Sequence, residues 1–213
     1  MATARNRPLI ALTGGVAAGK STAARAFEAL RPGCLVDADA AARAVVAPGS
    51  EGLAAVVAAF GPGVLAADGT LDRAALRQRV FAEPEARRRL EALLHPRIRA
   101  WMLAAAEQAT TSYVLLDIPL LAEGGDRATW PMLARVVVVD VPVAVQRARL
   151  LARDGIDAAL AEAMIAAQAS RAERLALADD VLVNLGTPAD LAAAVARLDA
   201  GWASSLPHRA HGP

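Results

Sequence analysis

The chain has one cysteine, Cys34, among 213 residues, so no internal disulfide can brace it, and such economy suits a reducing compartment. Aromatic residues make up only 3% of the sequence. Trp101, Trp130 and Trp202 lie too far apart to read as a base-stacking platform. Charge of either sign is not in excess: 23 Lys and Arg face 22 Asp and Glu. That balance removes the global attraction expected of a protein that wraps nucleic acid or lies on an anionic bilayer, and neither is expected as a partner. Long apolar runs are also missing. The uncharged stretch from Gly52 to Ala67 is broken by Gly61-Pro62-Gly63 and falls short of the ~20 residues that span a bilayer. Met1 to Pro8 carries Arg5 and Arg7 with no apolar core behind them, so no secretory peptide is expected. No Cys/His cluster has zinc-ligand spacing, and no Asn-Lys-x-Asp guanine motif occurs. The 55% hydrophobic content overstates the core, because 55 of the residues are alanine and each buries little area.

What is present alternates. Short β-branched or leucine-rich runs, Leu9 to Thr13, Cys34 to Asp37, Tyr113 to Asp117, Arg135 to Val141 and Val181 to Leu185, recur between long Ala/Leu/Arg stretches. Five strands separated by helices predict an α/β fold with a parallel five-stranded sheet flanked by helices. Val136 to Val139 shows no polar alternation, as expected of a central strand covered on both faces. A helix is predicted from Lys20 to Leu30, with Ala23, Phe27 and Leu30 on one stripe, and another from Glu85 to Leu94, interrupted at Pro96. Residues 38 to 112 are too many for a simple crossover, so a helical insertion is expected there. After the fourth strand a helix from Val143 to Arg153, a stop at Gly155 and a second helix from about Asp157 to Leu175 form a candidate lid. The predicted organisation is a discontinuous core of 8–38, 112–142 and 177–200, a substrate-binding insertion of 39–111, a lid of 143–176 and a disordered tail of 201–213.

The strongest signal is Gly14-Gly15-Val16-Ala17-Ala18-Gly19-Lys20-Ser21, which satisfies G-x-x-x-x-G-K-[ST] between a predicted strand and a predicted helix. In that context the loop is a phosphate cradle of the P-loop NTPase type. Lys20 is then expected to bridge the β- and γ-phosphates of ATP, Ser21 to ligate Mg²⁺ and Thr22 to meet the α-phosphate. Asp37 and Asp39 follow the second strand. Two apart on an extended segment, they are expected to face one side, one assisting Mg²⁺ and the other taking a proton from an attacking hydroxyl. The structural alternative for Asp39 is capping a helix over Ala40 to Val46. Asp117 ends an apolar run as a Walker B carboxylate does. Spacing alone leaves the base and metal roles open among Asp37, Asp39 and Asp117. Gln146, Arg149 and Arg153 recur on one helix face, either to neutralise a transferring phosphoryl group or as a solvated arginine face.

The chain resembles the dephospho-CoA kinase family from about Leu9 to Leu198. The matching residues include Leu12-Thr13-Gly14-Gly15, Asp37-Ala38-Asp39 with Arg43, Asp68-Gly69-Thr70-Leu71, Leu94-His95-Pro96 and Pro119-Leu120-Leu121 with Glu123. Gln146, Arg149, Arg153 and Gln168 follow, then Ala178-Asp179-Asp180-Val181 with Asn184 and Gly186. The resemblance implies transfer of the ATP γ-phosphate to the ribose 3′-hydroxyl of dephospho-CoA, the last step of CoA synthesis; the lone cysteine points to the cytoplasm, and no obligate protein partner is evident in the sequence. The resemblance also implies Asp39 as base, Arg149 as the leading lid arginine and an adenine contact around Asn184 and Gly186. With the loop motif, the catalytic set is Lys20, Asp39 and Arg149, and nucleotide contacts are expected from Gly15, Ala17, Ala18, Gly19, Lys20, Ser21, Thr22, Arg153, Asn184 and Gly186. Arg43 and His95 join Asp39 on the acceptor side, and Ser21, Asp117 and Asp37 are the metal candidates. Ala17-Ala18 replaces the family's usual Gly-Ser, and alanine adopts positive φ less readily. The competing expectations are another small-molecule P-loop kinase, acting on a nucleoside monophosphate or shikimate, and a nucleotide sensor without turnover.

Overall fold

The structure is a computed structural model that describes residues 7–124 and 126–205. The expectations for the first residues and for the tail beyond 205 fall outside the described residues. In chain order the elements are β1 (Leu9–Gly14), α1 (Lys20–Leu30), β2 (Leu35–Asp37), α2 (Ala38–Ala44), α3 (Glu51–Phe60), α4 (Arg73–Ala82) and α5 (Pro84–Gln108), then β3 (Val114–Asp117), α6 (Asp126–Thr129) and β4 (Leu133–Asp140). The chain continues through α7 (Val143–Asp154), α8 (Ala158–Ala166), α9 (Arg171–Ala176), β5 (Asp180–Val183) and α10 (Pro188–Ser205). The chain divides into two compact units, one of residues 1–36 and 109–213, the other of residues 37–108.

The first unit is built on a five-stranded sheet of order β2-β3-β1-β4-β5. β1 pairs in parallel with β3 and β4, and β4 in parallel with β5. β1 is therefore the middle strand, and the valine run of β4 lies beside it, Val136 to Val139 all buried. Ile10, Leu12, Val137 and Val139 of the sheet pack with Phe27 of α1 and Leu191, Val195 and Trp202 of α10. Leu30, predicted on the buried stripe of α1, is instead exposed, and Ala24 takes a buried place.

Residues 201–205 are not a disordered tail, because α10 runs through them to Ser205. Trp202 is the reason: it is buried, stacks on Phe27 at 5.5 Å and meets the edge of Tyr113 at 5.2 Å. Asp199, one turn earlier, receives the Arg31 guanidinium at 2.6 and 2.9 Å and the Tyr113 hydroxyl at 2.8 Å. Burial alone pushes the Asp199 carboxyl up, but the bonds from Arg31 and Tyr113 outweigh it and hold the group below its ordinary value. A depressed carboxylate stabilises the fold above its unfolded value, and that contribution is lost as pH falls through the folded one. Burial, then the Glu28 carboxylate, push the Cys34 thiol up to about 12, so it stays protonated and unreactive at neutral pH. Trp202→Ala is expected to cost ~3–5 kcal/mol in urea unfolding; a loss below ~1 kcal/mol contradicts the buried assignment.

The second unit has its own core of Val45, Val46, Val56, Phe60, Val64, Leu76 and Ala86, with Leu90, Leu93 and Leu94 packed against it. Pro96 does not end the helix; α5 continues through it to Gln108. A proline inside a helix removes one intrahelical bond, and in that turn the Arg97 guanidinium donates to the Leu93 carbonyl at 2.7 Å. The leucines before Pro96 are tied into the core on one side, so packing carries the helix across the defect.

Candidate active site

The loop between β1 and α1 is set by three carbonyls. Val16 O accepts from Gln146 Nε2 at 2.7 Å, Ala17 O from Arg149 Nη1 at 3.3 Å, and Ala18 O from Asn184 Nδ2 at 2.8 Å. The Val16 N–H is also held, by Gln168 Oε1 at 2.7 Å. Carbonyls drawn outward turn the intervening N–H groups the other way. Among the described residues the amides of Ala17, Gly19, Lys20 and Ser21 have no protein acceptor, the disposition an anion cradle requires. Ala17 adopts φ 57°, so the alanine takes the left-handed conformation that its substitution for glycine put in question. Gly19 has φ 97°, and a Cβ there would strike the Asn184 amide.

Lys20 Nζ forms an ion pair with Asp117 Oδ1 at the end of β3. Their side chains are 16% and 10% exposed, so the pair is well shielded. Ser21 is exposed on the first turn of α1 and Thr22 is half-buried beside it. Arg149 is half-buried, its Nη2 donating to Asn184 O at 2.8 Å. The solvated-face alternative therefore does not describe Gln146, which is 1% exposed, or Arg149. Arg147, on another side of α7, pairs with Glu162 at 2.9 Å. Arg153 and Gly186 are exposed. The Oδ2 of Asp190 lies 2.5 Å from where a Cβ on Gly186 would stand.

The lid region departs from the predicted pair of helices. α7 stops at Gly155, φ 62°, as expected, but the second helix is two, α8 and α9, parted at Ser170. Ser170 caps α9 and Glu173 returns the bond to the Ser170 N–H, a capping box legible as S-x-x-E in the sequence. That signal would have placed Arg174, a buried residue against the loop that sequence reasoning did not single out.

The acceptor-side candidates belong to the second unit. The extended segment ends at Asp37, so alternation does not align the two carboxylates: Asp39 is already helical, and Asp37 Oδ1 caps α2 by accepting the Asp39 N–H at 2.9 Å. Asp37, not Asp39, is thus the capping residue. Asp39 is exposed, Arg43 lies 3.9 Å from Asp37 Oδ2, and His95 is exposed on α5. A cavity of about 680 Å³ in this unit is lined by Phe60, Gln78, Arg79, Glu83 and Arg89. Its arginines brace the wall: Arg79 donates to Phe60 O and Arg89 lies over the Phe60 ring.

A parallel sheet whose middle strand opens into a phosphate cradle, with a strand-end aspartate on its lysine, defines an α/β protein of the P-loop NTPase type. The family model for dephospho-CoA kinase matches residues 8–190. A dephospho-CoA kinase from Xanthomonas campestris is 56% identical over 198 residues, covering 93% of this chain and 95% of the relative. Among solved structures, a Thermus thermophilus protein superposes with a TM-score of 0.76 at 31% identity, covering 92% of this chain and 97% of its own. The Campylobacter jejuni dephospho-CoA kinase shares the fold, with a TM-score of 0.59 at 23% identity over 92% and 97% of the two chains. The chain belongs to the dephospho-CoA kinase family, and it is an ATP-dependent phosphotransferase. No helix among the described residues is long and apolar enough to cross a membrane.

Proposed function

We propose that this kinase transfers the γ-phosphate of ATP to the ribose 3′-hydroxyl of dephospho-CoA, giving CoA and ADP, in the cytoplasm. The observation that carries this reading is 56% identity to a dephospho-CoA kinase across 95% of that relative. The amides of Ala17, Gly19, Lys20 and Ser21 bind the phosphate chain, with Gly15 and Ala18 shaping the loop and the Thr22 hydroxyl beside it. Asn184, Gly186 and Arg153 serve the nucleotide. Lys20 and Arg149 neutralise the transferring group, which needs positioning and positive charge more than covalent help. Asp39 takes the proton of the acceptor hydroxyl, and Arg43 and His95 bind the acceptor.

The donor set suits a hydrated Mg²⁺, which keeps several waters and takes only one or two protein oxygens beside the substrate phosphates. Ser21 would hold it, with Asp117 through water. Asp37 is a further candidate, although its Oδ1 serves the α2 cap. When bound, the ion neutralises phosphate charge.

Mass spectrometry of a mixture of ATP, Mg²⁺ and dephospho-CoA tests the reading. The expected product is CoA, one phosphoryl group heavier, with ADP appearing only when the acceptor is present. Phosphorylation of shikimate or a nucleoside monophosphate in its place, or no turnover with any acceptor, overturns it.

A further inference from the structure

We propose that Arg174 is a ligand for the terminal phosphate of the bound nucleotide, reaching it from the side of Gly15. This rests on the reading of the loop as an ATP site. Three charged residues are buried among the described residues, Asp117, Asp140 and Arg174. The two aspartates have cations: Asp117 has Lys20, and Asp140 receives Arg171 through Nε at 2.8 Å and Nη2 at 2.7 Å. Arg174, 6% exposed, has no carboxylate within ion-pair distance among the described residues. Its hydrogen bond runs from Nη1 to the Ala169 carbonyl, a small use of five donors. The neighbouring Glu173 feels the charge but is fully exposed and spends its carboxylate on the Ser170 cap.

A buried charge without a counter-charge is costly, and the position of this one is fixed rather than incidental. The capping box starts α9, Arg171 anchors it to the end of β4, and the Ala169 N–H donates to Glu123 at 2.8 Å. Arg174, one turn on, is thereby held against the phosphate loop: a Cβ on Gly15 would lie 2.7 Å from its Nη2 and would also strike the Gln146 amide. Gln146 carries the one buried side-chain atom without a partner among the described residues, Oε1. That neutral amide cannot offset a guanidinium. A phosphate can, through charge and through paired acceptor oxygens. The loop's phosphate chain runs from the helix start, where the α-phosphate lies, towards the γ-phosphate held by Lys20. Gly15 is at the opposite end of the loop from that helix start, which is why the terminal phosphate is assigned.

The test is a thermal-shift and steady-state comparison of the intact protein as wild type, Arg174→Met, Arg174→Lys and Lys20→Met, using Mg-ATP and Mg-ADP as probes. Relieved of an unmatched charge, Arg174→Met is expected to melt no lower than wild type without ligand. Its stabilisation by ATP should shrink more than that by ADP, and kcat/KM for ATP should fall ~10- to 100-fold, with Arg174→Lys between the two. A lower ligand-free melting temperature in Arg174→Met with an unchanged ATP shift and kcat/KM makes the residue a structural brace and overturns the proposal. An ATP shift lost in Lys20→Met but kept in Arg174→Met and Arg174→Lys sinks the proposal and leaves the loop reading intact. A shift kept in all three variants likewise sinks the proposal, whereas a wild type that neither ATP nor ADP stabilises sinks the loop reading itself.

Discussion

Lys20→Met is expected to lower kcat for phosphoryl transfer about 10²- to 10³-fold, the scale seen when one preorganised donor to a developing charge is removed. The ammonium is shielded, its side chain 16% exposed, so the charge acts in a medium that screens it poorly. The same substitution should lower stability. Lys20 Nζ is paired with Asp117, and removing the cation from a carboxylate only 10% exposed costs about 1–3 kcal/mol. The two effects separate in a double variant. Adding Asp117→Asn removes the carboxylate charge that Lys20 faced, so the denaturation midpoint should regain part of the loss while turnover stays low. Wild-type kcat in Lys20→Met would falsify the catalytic role. Equal losses of turnover and folded fraction, both restored by Asp117→Asn, would reduce the lysine to a partner of the aspartate.

The parts of this site that were legible in the sequence are those whose cause is local. β1, the glycine spacing and α1 follow one another within a few residues, and hydrophobic period together with the demand for left-handed backbone at Gly19 defines them. Asp117 was legible because an apolar strand ending in an acid is also a local pattern. Ala17 was not. A left-handed alanine costs roughly 1–2 kcal/mol, and what offsets it comes from far along the chain: Gln146 and Arg149 hold the carbonyls of Val16 and Ala17 from α7, and Asn184 holds that of Ala18 from beyond β5. The other misses share that cause. Helix α5 crosses Pro96 because leucines on its amino-terminal side pack into a separate core. Helix α10 reaches Ser205 because Trp202 finds Phe27 and Tyr113. Arg174 looks like any surface arginine in a charged stretch until the fold buries it beside Gly15. The break at Ser170 belongs to a different class, since its capping box is written in four consecutive residues.

Asp39→Asn is expected to lower turnover about 10²- to 10⁴-fold, the range for loss of a general base, with ATP affinity retained. The second unit has its own core, and Asp39 contributes its backbone N–H to the Asp37 cap. That bond does not involve the Asp39 carboxylate, so an amide in its place should leave stability within ~0.5 kcal/mol. A neutral amide still accepts a hydrogen bond from the acceptor hydroxyl, which keeps binding of the acceptor while removing the destination of the proton. The loss should therefore appear in kcat, in single-turnover transfer from a preformed ATP complex, with KM for either substrate little changed. Asp37→Asn is the matched comparison. Asparagine keeps the oxygen that caps α2, so this variant should fold as the wild type does, and any loss of turnover it shows should respond to Mg²⁺ concentration if Asp37 assists the ion. Should the two variants exchange behaviour, Asp39→Asn answering to Mg²⁺ and Asp37→Asn failing in single turnover at saturating metal, the proton acceptor is Asp37 and the division of roles is reversed.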